Sequence, residues 1–244
     1  MIRATITGIQ QATPSIRVFT LDTGGHPFDY RPGQWLDLYA EVDGRTQIGG
    51  YSITSSPLRR GTVEIAVKRA ENHPVTRFLH ERIGVGDTVQ IDGGYGDCTL
   101  DVGAGIEVGA PPALLLVAGG IGITPLASMV RYASEALPDA AVTLLHSAPT
   151  PDEHLFRAEF EALAARWPLF RPEFWVTQAT DVPPGTHRGR IDAAGLGRAV
   201  GDLEGRGGAP VCYLCGPRSM IDEVAADLGL LGVAPERIRF ERWW

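Results

Sequence analysis

Residues 48–57, IGGYSITSSP, combine a tyrosine with four further hydroxyl side chains and contain no charged residue. A tyrosine ring offers an apolar face for packing, and hydroxyl groups both donate and accept hydrogen bonds. Two interpretations fit this composition: an exposed polar loop, or a platform on which a flat polar ring lies. The motifs in the rest of the chain distinguish these two interpretations.

Residues 118–126, AGGIGITPL, follow an apolar run and precede an amphipathic one. This order predicts a turn between a buried strand and a helix, where glycines let the backbone approach a ligand and free N–H groups attract phosphate. Pro125 suits the first helical turn. The standard dinucleotide fingerprint is not met, because Pro125 replaces its third glycine and the next strand end, LLHSAP, lacks an acidic residue. A tight structural turn is the alternative.

Residues 213–220, YLCGPRSM, predict a second turn of this kind. Cys215, Gly216 and Pro217 would lie at the carboxyl end of a strand, where open α/β sheets bind ligands. Ser219 and Asp222 fit the S-x-x-D capping pattern, so we expect them to cap the following helix.

The chain contains three cysteines, Cys98, Cys212 and Cys215. Three thiols cannot supply a disulfide framework or a four-thiolate cluster. The C-x-x-C pair is expected to be a strand cysteine followed by a turn cysteine. Since no second pair and no His-x-x-x-His pattern accompanies it, no metal site is expected.

The composition is that of an ordinary globular protein, with 244 residues, 44% hydrophobic and 21% charged. The formal net charge of -7 has no concentrated basic run, which argues against nucleic acid as a partner. The first residues lack an apolar signal segment, and no run approaches the roughly 20 apolar residues of a membrane span. We therefore expect a cytoplasmic protein that does not enter membranes.

The two halves of the chain have different hydrophobic patterns. Up to residue 105 the apolar residues alternate in short runs, which predicts an antiparallel β-barrel or sandwich. These runs are IRATITGI, SIRVFTLD, QWLDLYAEV, TVEIAVKRA and TVQIDG. One helix is predicted near VTRFLHERI, where Val75, Phe78, Leu79 and Ile83 share a face.

From residue 106 apolar strands alternate with amphipathic helices, the pattern of a parallel sheet covered on both faces. The predicted strands are ALLLVAG, AVTLLHSA, FRPEFWVTQA, PVCYLCG and RIRFE; the predicted helices are PLASMVRYASEAL, HLFRAEFEALAAR and SMIDEVAADLGLL. The fold class is therefore β + α/β: an antiparallel β-barrel domain over residues 1–105, followed by a nucleotide-binding α/β domain over residues 106–244. Residues 102–113 form the expected junction.

In this order the motifs resemble those of the ferredoxin-NADP reductase family of flavoprotein reductases. FDYRPGQWLDL is similar to the family pattern F-x-P-G-Q-[YF], GGYS stands in the place of R-x-Y-S, and PVTRFLHER resembles the G-x-V-S-x-[YF]-L helix. AGGIGITPL is close to A-G-G-T-G-I-T-P, and YLCGPRSM to C-G-P-x-x-M. GGYS and the terminal ERWW are most similar to the oxidoreductase NAD-binding domain-containing proteins.

The resemblance implies that the barrel holds FAD and that the second domain holds a nicotinamide dinucleotide. It places Tyr51 on the isoalloxazine ring and Ser52 near its N5 atom, with Cys215 and Thr124 flanking the nicotinamide and Glu241 near the reacting rings. Ser52, Cys215 and Glu241 are thus the expected catalytic residues. The full set of expected cofactor-binding residues is Gly50, Tyr51, Ser52, Ile53, Thr54, Val67, Lys68, His73, Pro74, Val75, Thr76, Gly119, Gly120, Gly122, Thr124, Pro125, His146, Ser147, Arg190, Cys215, Gly216, Pro217, Met220, Trp243 and Trp244.

Two departures from the family pattern concern the flavin. Gly49 stands where the family has the arginine of R-x-Y-S, so a charge-assisted bond to the pyrophosphate is missing. Four other arginines are candidates to replace it: Arg45, Arg59, Arg60 and Arg69. His73 replaces the glycine of G-x-V-S and could donate to phosphate or have a structural role.

A third departure concerns the nicotinamide nucleotide. Related NADPH-using enzymes place arginines near the 2′-phosphate, but the corresponding positions here are Pro149 and either Thr177 or Gln178. Only Arg190 remains, so NADH is expected to be favoured over NADPH.

Trp243 and Trp244 end the sequence, and chain ends usually fray unless something holds them. They are expected either to anchor the end on the barrel or to cover the flavin until the nicotinamide displaces them.

Three functions are compatible with these residues. The first is an FAD-dependent NAD(P)H oxidoreductase that passes electrons to a separate acceptor, a ferredoxin-like protein or a small molecule. The second is a flavin reductase that uses flavin as a diffusible substrate. The third is a non-catalytic binding module that keeps the fold. A monomer or weak dimer is expected.

Overall fold

The first hundred residues fold into six antiparallel strands and one helix in the computed structural model, which describes residues 1–100 and 111–241. The elements are β1 (Ile2–Gln11), β2 (Ile16–Asp22), β3 (Trp35–Val42), β4 (Arg45–Ser52), β5 (Thr62–Lys68), α1 (Pro74–Glu81) and β6 (Thr88–Tyr95). The strand order is β4-β3-β6-β1-β2-β5. Ile53, directly after β4, bridges to Ile65 in β5, which brings the two outer strands together and closes the predicted barrel.

The barrel interior follows from the alternation of apolar residues along each strand. Phe19, Leu21, Leu36, Leu38 and Ile65 are fully buried in one apolar cluster. Burying each such side chain contributes about 1.5–3 kcal/mol relative to leaving it exposed. Val75 and Leu79 of the predicted helix pack into the same cluster, with Ile83 buried just beyond the helix end.

Strand β4 carries IGGYS and is not one of the runs that alternation predicts, because its two glycines interrupt the pattern. Ile53 and Thr54 do not continue this strand. The strand ends at Ser52, and beyond it Ile53 makes only a single bridge.

The second half forms a parallel six-stranded sheet with helices. Its elements are β7 (Ala113–Gly119), α2 (Ile123–Ala136), β8 (Ala141–Ala148), α3 (Arg157–Arg166), β9 (Phe170–Val176), β10 (Thr186–Arg188), α4 (Ala193–Gly207), β11 (Val211–Cys215), α5 (Arg218–Leu230) and β12 (Ile238–Glu241). Two apolar clusters lie on opposite faces of this sheet, since adjacent residues of β11, Leu214 and Cys215, belong to different clusters.

Three details of this half differ from the expectations. The sequence did not predict β10 or α4. Helix α3 begins at Arg157 rather than His154, because residues 151–153 form a short 3-10 turn and Phe156 has a φ of 63°. The Ser219 cap is wrong: α5 begins at Arg218 after Pro217, no side chain caps it, and Ser219 lies within its first turn.

The strand order β10-β9-β8-β7-β11-β12 places the start of the half in the middle of the sheet. The chain runs outward from β7 through β8, β9 and β10, and then returns to β11 on the other side of β7. The direction of winding therefore reverses between β7 and β11, and ligands of open α/β sheets bind at the carboxyl ends of strands at such a point. These ends are Gly119 and Cys215, in the two turns that the sequence singles out.

One buried cluster joins the barrel to the parallel sheet, while the barrel interior forms a separate cluster. Ile16, Val18 and Ala66 of the barrel belong to the same buried cluster as Leu126 and Met129 of α2. The predicted domain boundary at residues 105 and 106 lies outside the described residues and stays a prediction. Among the helices of residues 1–100 and 111–241, none combines the length and apolar character that crossing a bilayer requires.

Candidate active site

A cavity of about 590 Å³ lies between the barrel and the carboxyl ends of β7 and β11. This volume is in the range of small-molecule and cofactor sites, roughly 300–1,000 Å³. The residues that line it come from both halves of the chain: Gly50, Tyr51, Ser52, Ala66, Val67, Lys68, Ala70, Asn72, His73, Thr76, Gly119, Gly120, Ile121, Gly122, Thr124, Cys215, Gly216 and Pro217.

The floor of the cavity is formed by two turns that pack backbone against backbone. A Cβ atom at Gly122 would overlap the carbonyl group of Cys215 and lie 2.7 Å from the backbone nitrogen of Gly216. A Cβ atom at Gly216 would lie 2.9 Å from the backbone nitrogen of Gly119. Any side chain at Gly122 or Gly216 would push the turns apart, so these glycines serve the contact between the turns. Gly120 instead borders open space.

The barrel wall contains a hydrogen-bonded group of three side chains. The hydroxyls of Tyr51 and Thr76 lie 3.0 Å apart, and the Thr76 hydroxyl lies 3.2 Å from His73 Nδ1. His73 also caps α1, with Nδ1 accepting from the Thr76 amide at 3.3 Å. Burial raises the pKa of Tyr51 to about 12, although the Thr76 hydrogen bond opposes part of the rise. The Tyr51 ring is therefore a neutral surface of fixed orientation.

Gly49 has a consequence beyond the loss of an arginine. A Cβ atom at this position would lie 2.7 Å from the Tyr51 hydroxyl oxygen and 2.9 Å from the ring carbon that bears it. The outer end of the Tyr51 ring thus occupies the space that any side chain at position 49 would enter. The glycine and the orientation of the ring are coupled.

The four arginines proposed as substitutes do not line the cavity. Arg59 lies 4.0 Å from Glu135, and with Arg60 it borders a separate cavity of about 370 Å³. Lys68 and His73 are the lining residues that can carry positive charge. A phosphate in this cavity would therefore meet Lys68 and His73 rather than one of those arginines.

His146 supports the turn after β7 from below. It is fully buried, and because a carbonyl only accepts, its Nε2 donates to the Gly120 carbonyl at 3.1 Å. Burial, with His154 nearby, lowers the pKa of His146 to about 3, so the ring is neutral. The His146 ring packs beneath the turn and contacts Gly120 instead of lining the cavity, and its expected role in cofactor binding stays a prediction.

Thr124 and Cys215 both line the cavity, as expected for residues that flank one ring. The Thr124 hydroxyl donates to the Ile121 carbonyl at 2.9 Å, which holds the start of α2 in place. Cys215 ends β11 and is buried, while Cys212 lies in the same strand on the opposite face.

Glu241 lies at the end of β12, paired in register with Cys215 of β11. Burial raises the pKa of Glu241 to about 7, and repulsion from Asp97 adds to the rise. Its Oε2 atom is buried and has no hydrogen-bond partner within residues 1–100 and 111–241. Glu241 thus lies beside the cavity without lining it, and its carboxyl can hold a proton near neutral pH.

Fourteen of the predicted site residues line the cavity. Ile53, Thr54, Val75 and Pro125 are buried behind the walls. Pro74, Ser147 and Met220 are at least partly exposed but are not lining residues, and Arg190 is on the surface, 3.6 Å from Glu223. Trp243 and Trp244 lie outside the described residues.

Sequence reasoning missed four lining residues, Ala66, Ala70, Asn72 and Ile121. Ile121 lies within the motif AGGIGITPL, between two of its glycines. No group of three potential metal ligands occurs in the part of the chain that the structure describes.

Replacing Gly49 with alanine is expected to destabilise the protein by about 1–3 kcal/mol, because the added methyl group displaces the Tyr51 ring and breaks its bond to Thr76. Urea denaturation of the protein without added cofactor measures this. Gly50→Ala is the matched control, since a Cβ atom there would be 3.5 Å from Trp35, an ordinary contact. Equal stability of the two variants would contradict the coupling.

The raised pKa of Glu241 predicts that the folding stability of the protein depends on pH. The unfolded carboxyl has a pKa of 4.5 and the folded one about 7, so between these values the folded state binds the extra proton. Stability should therefore fall as pH rises through this interval and remain lower above it. Glu241→Gln removes the effect, so the Tm difference between pH 5 and pH 8 should shrink. Exposed Glu236→Gln is the control; a wild-type pH dependence in Glu241→Gln would contradict the prediction.

The two halves match two family models. Residues 3–100 match the oxidoreductase FAD-binding domain, and residues 116–226 match the oxidoreductase NAD-binding domain. Oxidoreductase NAD-binding domain-containing protein 1 of Danio rerio is 34% identical over 266 residues, which cover 100% of this chain and 92% of that protein. The NADPH oxidoreductase of Mycobacterium tuberculosis is 31% identical over 246 residues, 99% of this chain and 60% of that protein.

Among solved structures, the FAD/NAD-binding domain of nitric oxide dioxygenase from Vibrio cholerae has a TM-score of 0.84. The match covers 99% of this chain and 98% of that chain at 24% identity, so it supports the fold. The FAD-binding and NAD-binding domains and the relative from Danio rerio together show the family. The chain belongs to the flavin-dependent oxidoreductases of the ferredoxin-NADP reductase type.

Proposed function

We propose that this protein oxidises NADH and passes the electrons through FAD to a separate acceptor. The observation that carries the proposal is the cavity itself, which is walled by Tyr51 and Ser52 of the barrel and by Thr124 and Cys215 at the switch point of the sheet. A single space lined by both domains is what stacking two flat rings requires.

The residues of the barrel wall fit a flavin. Gly50 has no side chain and the side chain of Val67 is apolar, so both leave room for an apolar ring face. The Tyr51 ring is held by a hydrogen bond to Thr76. Thr76 and the start of α1 would hold the pyrophosphate, with Lys68 as the nearby cation. Bound FAD would accept a hydride from the nicotinamide and deliver electrons to the acceptor.

The contribution of the protein to this chemistry is orientation and exclusion of water. The Ser52 hydroxyl would hydrogen-bond to the flavin edge, and Cys215 and Thr124 would hold the nicotinamide against it. The contact between the glycine turns fixes Cys215 relative to Gly119. Glu241, one strand further, would hold a proton beside the site at neutral pH.

The preference for NADH is supported by the ends of β8 and β9. Gln178 donates its backbone N–H to the Pro149 carbonyl at 2.9 Å, so the two positions expected to carry arginines in NADPH-using relatives lie together. Neither is cationic. Arg190 lies 3.6 Å from Glu223, whose carboxylate would repel a 2′-phosphate. Because one relative is named an NADPH oxidoreductase, both nucleotides have to be measured.

A flavin reductase with diffusible flavin is the second candidate. Gly49 favours it, because the Tyr51 ring fills the place where the family has the pyrophosphate-binding arginine. Losing a charge-assisted bond of this kind weakens binding by about 1.5–3 kcal/mol, or roughly one to two decades in affinity.

The purified protein is expected to be yellow and to bleach when NADH is added without oxygen, because the flavin stays bound and accepts hydride. A visible spectrum before and after addition measures this. Colourless protein that reduces added flavin would favour the second candidate. Colourless protein that is inert with every flavin would contradict both.

Two cysteine variants test the site within the same assay. Cys215→Ala is expected to slow flavin reduction by NADH about tenfold or more, because the nicotinamide loses one flanking contact. Cys212→Ala is the matched control, as it changes a buried cysteine of the same strand on the opposite face. Equal rates for the two variants would remove Cys215 from the proposed site.

The catalytic efficiency kcat/KM with NADH is expected to exceed that with NADPH by at least about tenfold, because the 2′-phosphate gains no cationic partner. Steady-state kinetics with both nucleotides and one dye acceptor measure the ratio. Glu223→Gln should lower the ratio of kcat/KM with NADH to that with NADPH, because Arg190 loses its carboxylate partner and can pair with a 2′-phosphate. Equal or better efficiency of the wild-type protein with NADPH would refute the preference.

A further inference from the structure

The side chain of Arg131 crosses from the α/β domain to the barrel. It projects from α2, and its Nη1 donates to the Thr54 carbonyl at 2.8 Å and to Glu64 Oε1 at 2.7 Å, both in the barrel. Its Nε and Nη2 form a two-pronged contact with Glu159 of α3, each at 2.7 Å. The guanidinium also lies 4.4 Å from the centre of the Phe156 ring.

These contacts compensate a charge that is largely removed from water, since the Arg131 side chain is only 13% exposed. Burial opposes the positive charge, but hydrogen bonds and attraction from Glu159 and Glu64 outweigh it, so the pKa of Arg131 lies above its ordinary value. A buried cation with two carboxylates is held in one geometry, because any displacement leaves a charge without its partner.

The barrel partner of Arg131 is the segment that follows the flavin-facing residues. Thr54 comes two residues after Ser52, and the next carbonyl, that of Ser55, accepts from Ser128 Oγ of α2 at 2.7 Å. The Thr54 hydroxyl donates to Glu64 at 2.5 Å, so the segment and its carboxylate are tied together as well. Two successive carbonyls beside the barrel wall are thus held from α2.

The N-terminus of α2 lies at the floor of the cavity. The helix begins at Ile123, and Thr124 lines the site. Arg131 is seven residues further on, about two helical turns or 10 Å away. Because a helix is rigid over this length, fixing Arg131 on the barrel also fixes the distance between the Thr124 wall and the Ser52 wall.

We propose that Arg131 is a positioning residue that sets the separation of the two cavity walls through α2, and thereby the distance over which hydride moves. This inference rests on the proposed function for its kinetic consequence. Arginine is required because its planar fork reaches Glu159, Glu64 and the Thr54 carbonyl at once, whereas a lysine ammonium is a single point charge.

Arg131→Met in the FAD-loaded protein is expected to slow flavin reduction by NADH about tenfold, with flavin content and the Kd of NADH within about twofold of wild type. The reduction rate of Arg131→Lys should lie between those of the wild type and Arg131→Met. This variant replaces Arg131→Met in the test if the methionine variant does not fold. Anaerobic stopped-flow kinetics with NADH and with NADH deuterated at C4 separate the hydride step from binding. The isotope effect should rise in both variants.

Arg171→Met is the matched control, because it removes an ion pair, Arg171 with Asp202, that lies wholly within the α/β domain. It is expected to leave the reduction rate unchanged. A reduction rate in Arg131→Met equal to that of the control would overturn the proposal. The proposal would also be overturned if both variants lost reduction rate equally and in proportion to their loss of Tm.

A second measurement does not depend on turnover. Spin labels at Val85→Cys in the barrel and Leu230→Cys in the α/β domain, both exposed positions, report the distance between the domains in a Cys98→Ser background. Arg131→Met should widen or shift this distance distribution, while Arg171→Met should not. An unchanged distribution would overturn the proposal. If NADH does not reduce the wild-type flavin, the proposed function fails, and the distance measurement alone decides the role of Arg131.

Discussion

The backbone contact between the turns after β7 and β11 is the constraint on which the site depends. Gly122 lies against the Cys215 carbonyl and Gly216 against Gly119, at distances that admit no side chain. The register of the two strands, with Ala118 opposite Cys215, brings the turns to the same height. Helix α2 starts from this contact and packs on the barrel, so Cys215 at the floor of the cavity and Ala66 on the barrel side belong to one buried cluster.

Most of the fold could be predicted from the sequence, because most of its strands alternate or are continuously apolar; β4, which two glycines interrupt, could not. Helix α4 could not, since five of its fifteen residues are glycines, each costing about 1 kcal/mol relative to alanine in an isolated helix. Leu196, Val200 and Leu203 nevertheless bury one face of α4 against the sheet, and this tertiary packing outweighs the low propensity. The three-residue edge strand β10 is too short to leave a pattern.

The site divides in the same way. The sequence could predict the lining residues that belong to motifs, such as Tyr51, Thr124 and Cys215. Turns and strand ends are local properties, so short stretches of sequence reveal them. The role of His146 was not, because its contact with the Gly120 carbonyl joins residues 26 positions apart. The contacts of Arg131 with Thr54 and Glu64 could not be predicted either, because the position of Arg131 on α2 does not indicate a partner in the barrel.

The uncharged stretch IGGYSITSSP can now be explained by geometry. An arginine at position 49 and the observed orientation of Tyr51 exclude each other, because the ring end fills the space beside the Gly49 backbone. With glycine at position 49, the Tyr51 ring is held by Thr76, which in turn contacts the helix-capping His73. Such a wall gains its specificity from shape and from fixed hydrogen bonds, which are less sensitive to salt than an exposed ion pair. Flavin affinity in this protein should consequently depend on the Tyr51–Thr76–His73 group and on Lys68 together, so that restoring the arginine alone would disturb the wall more than it strengthens the pyrophosphate contact.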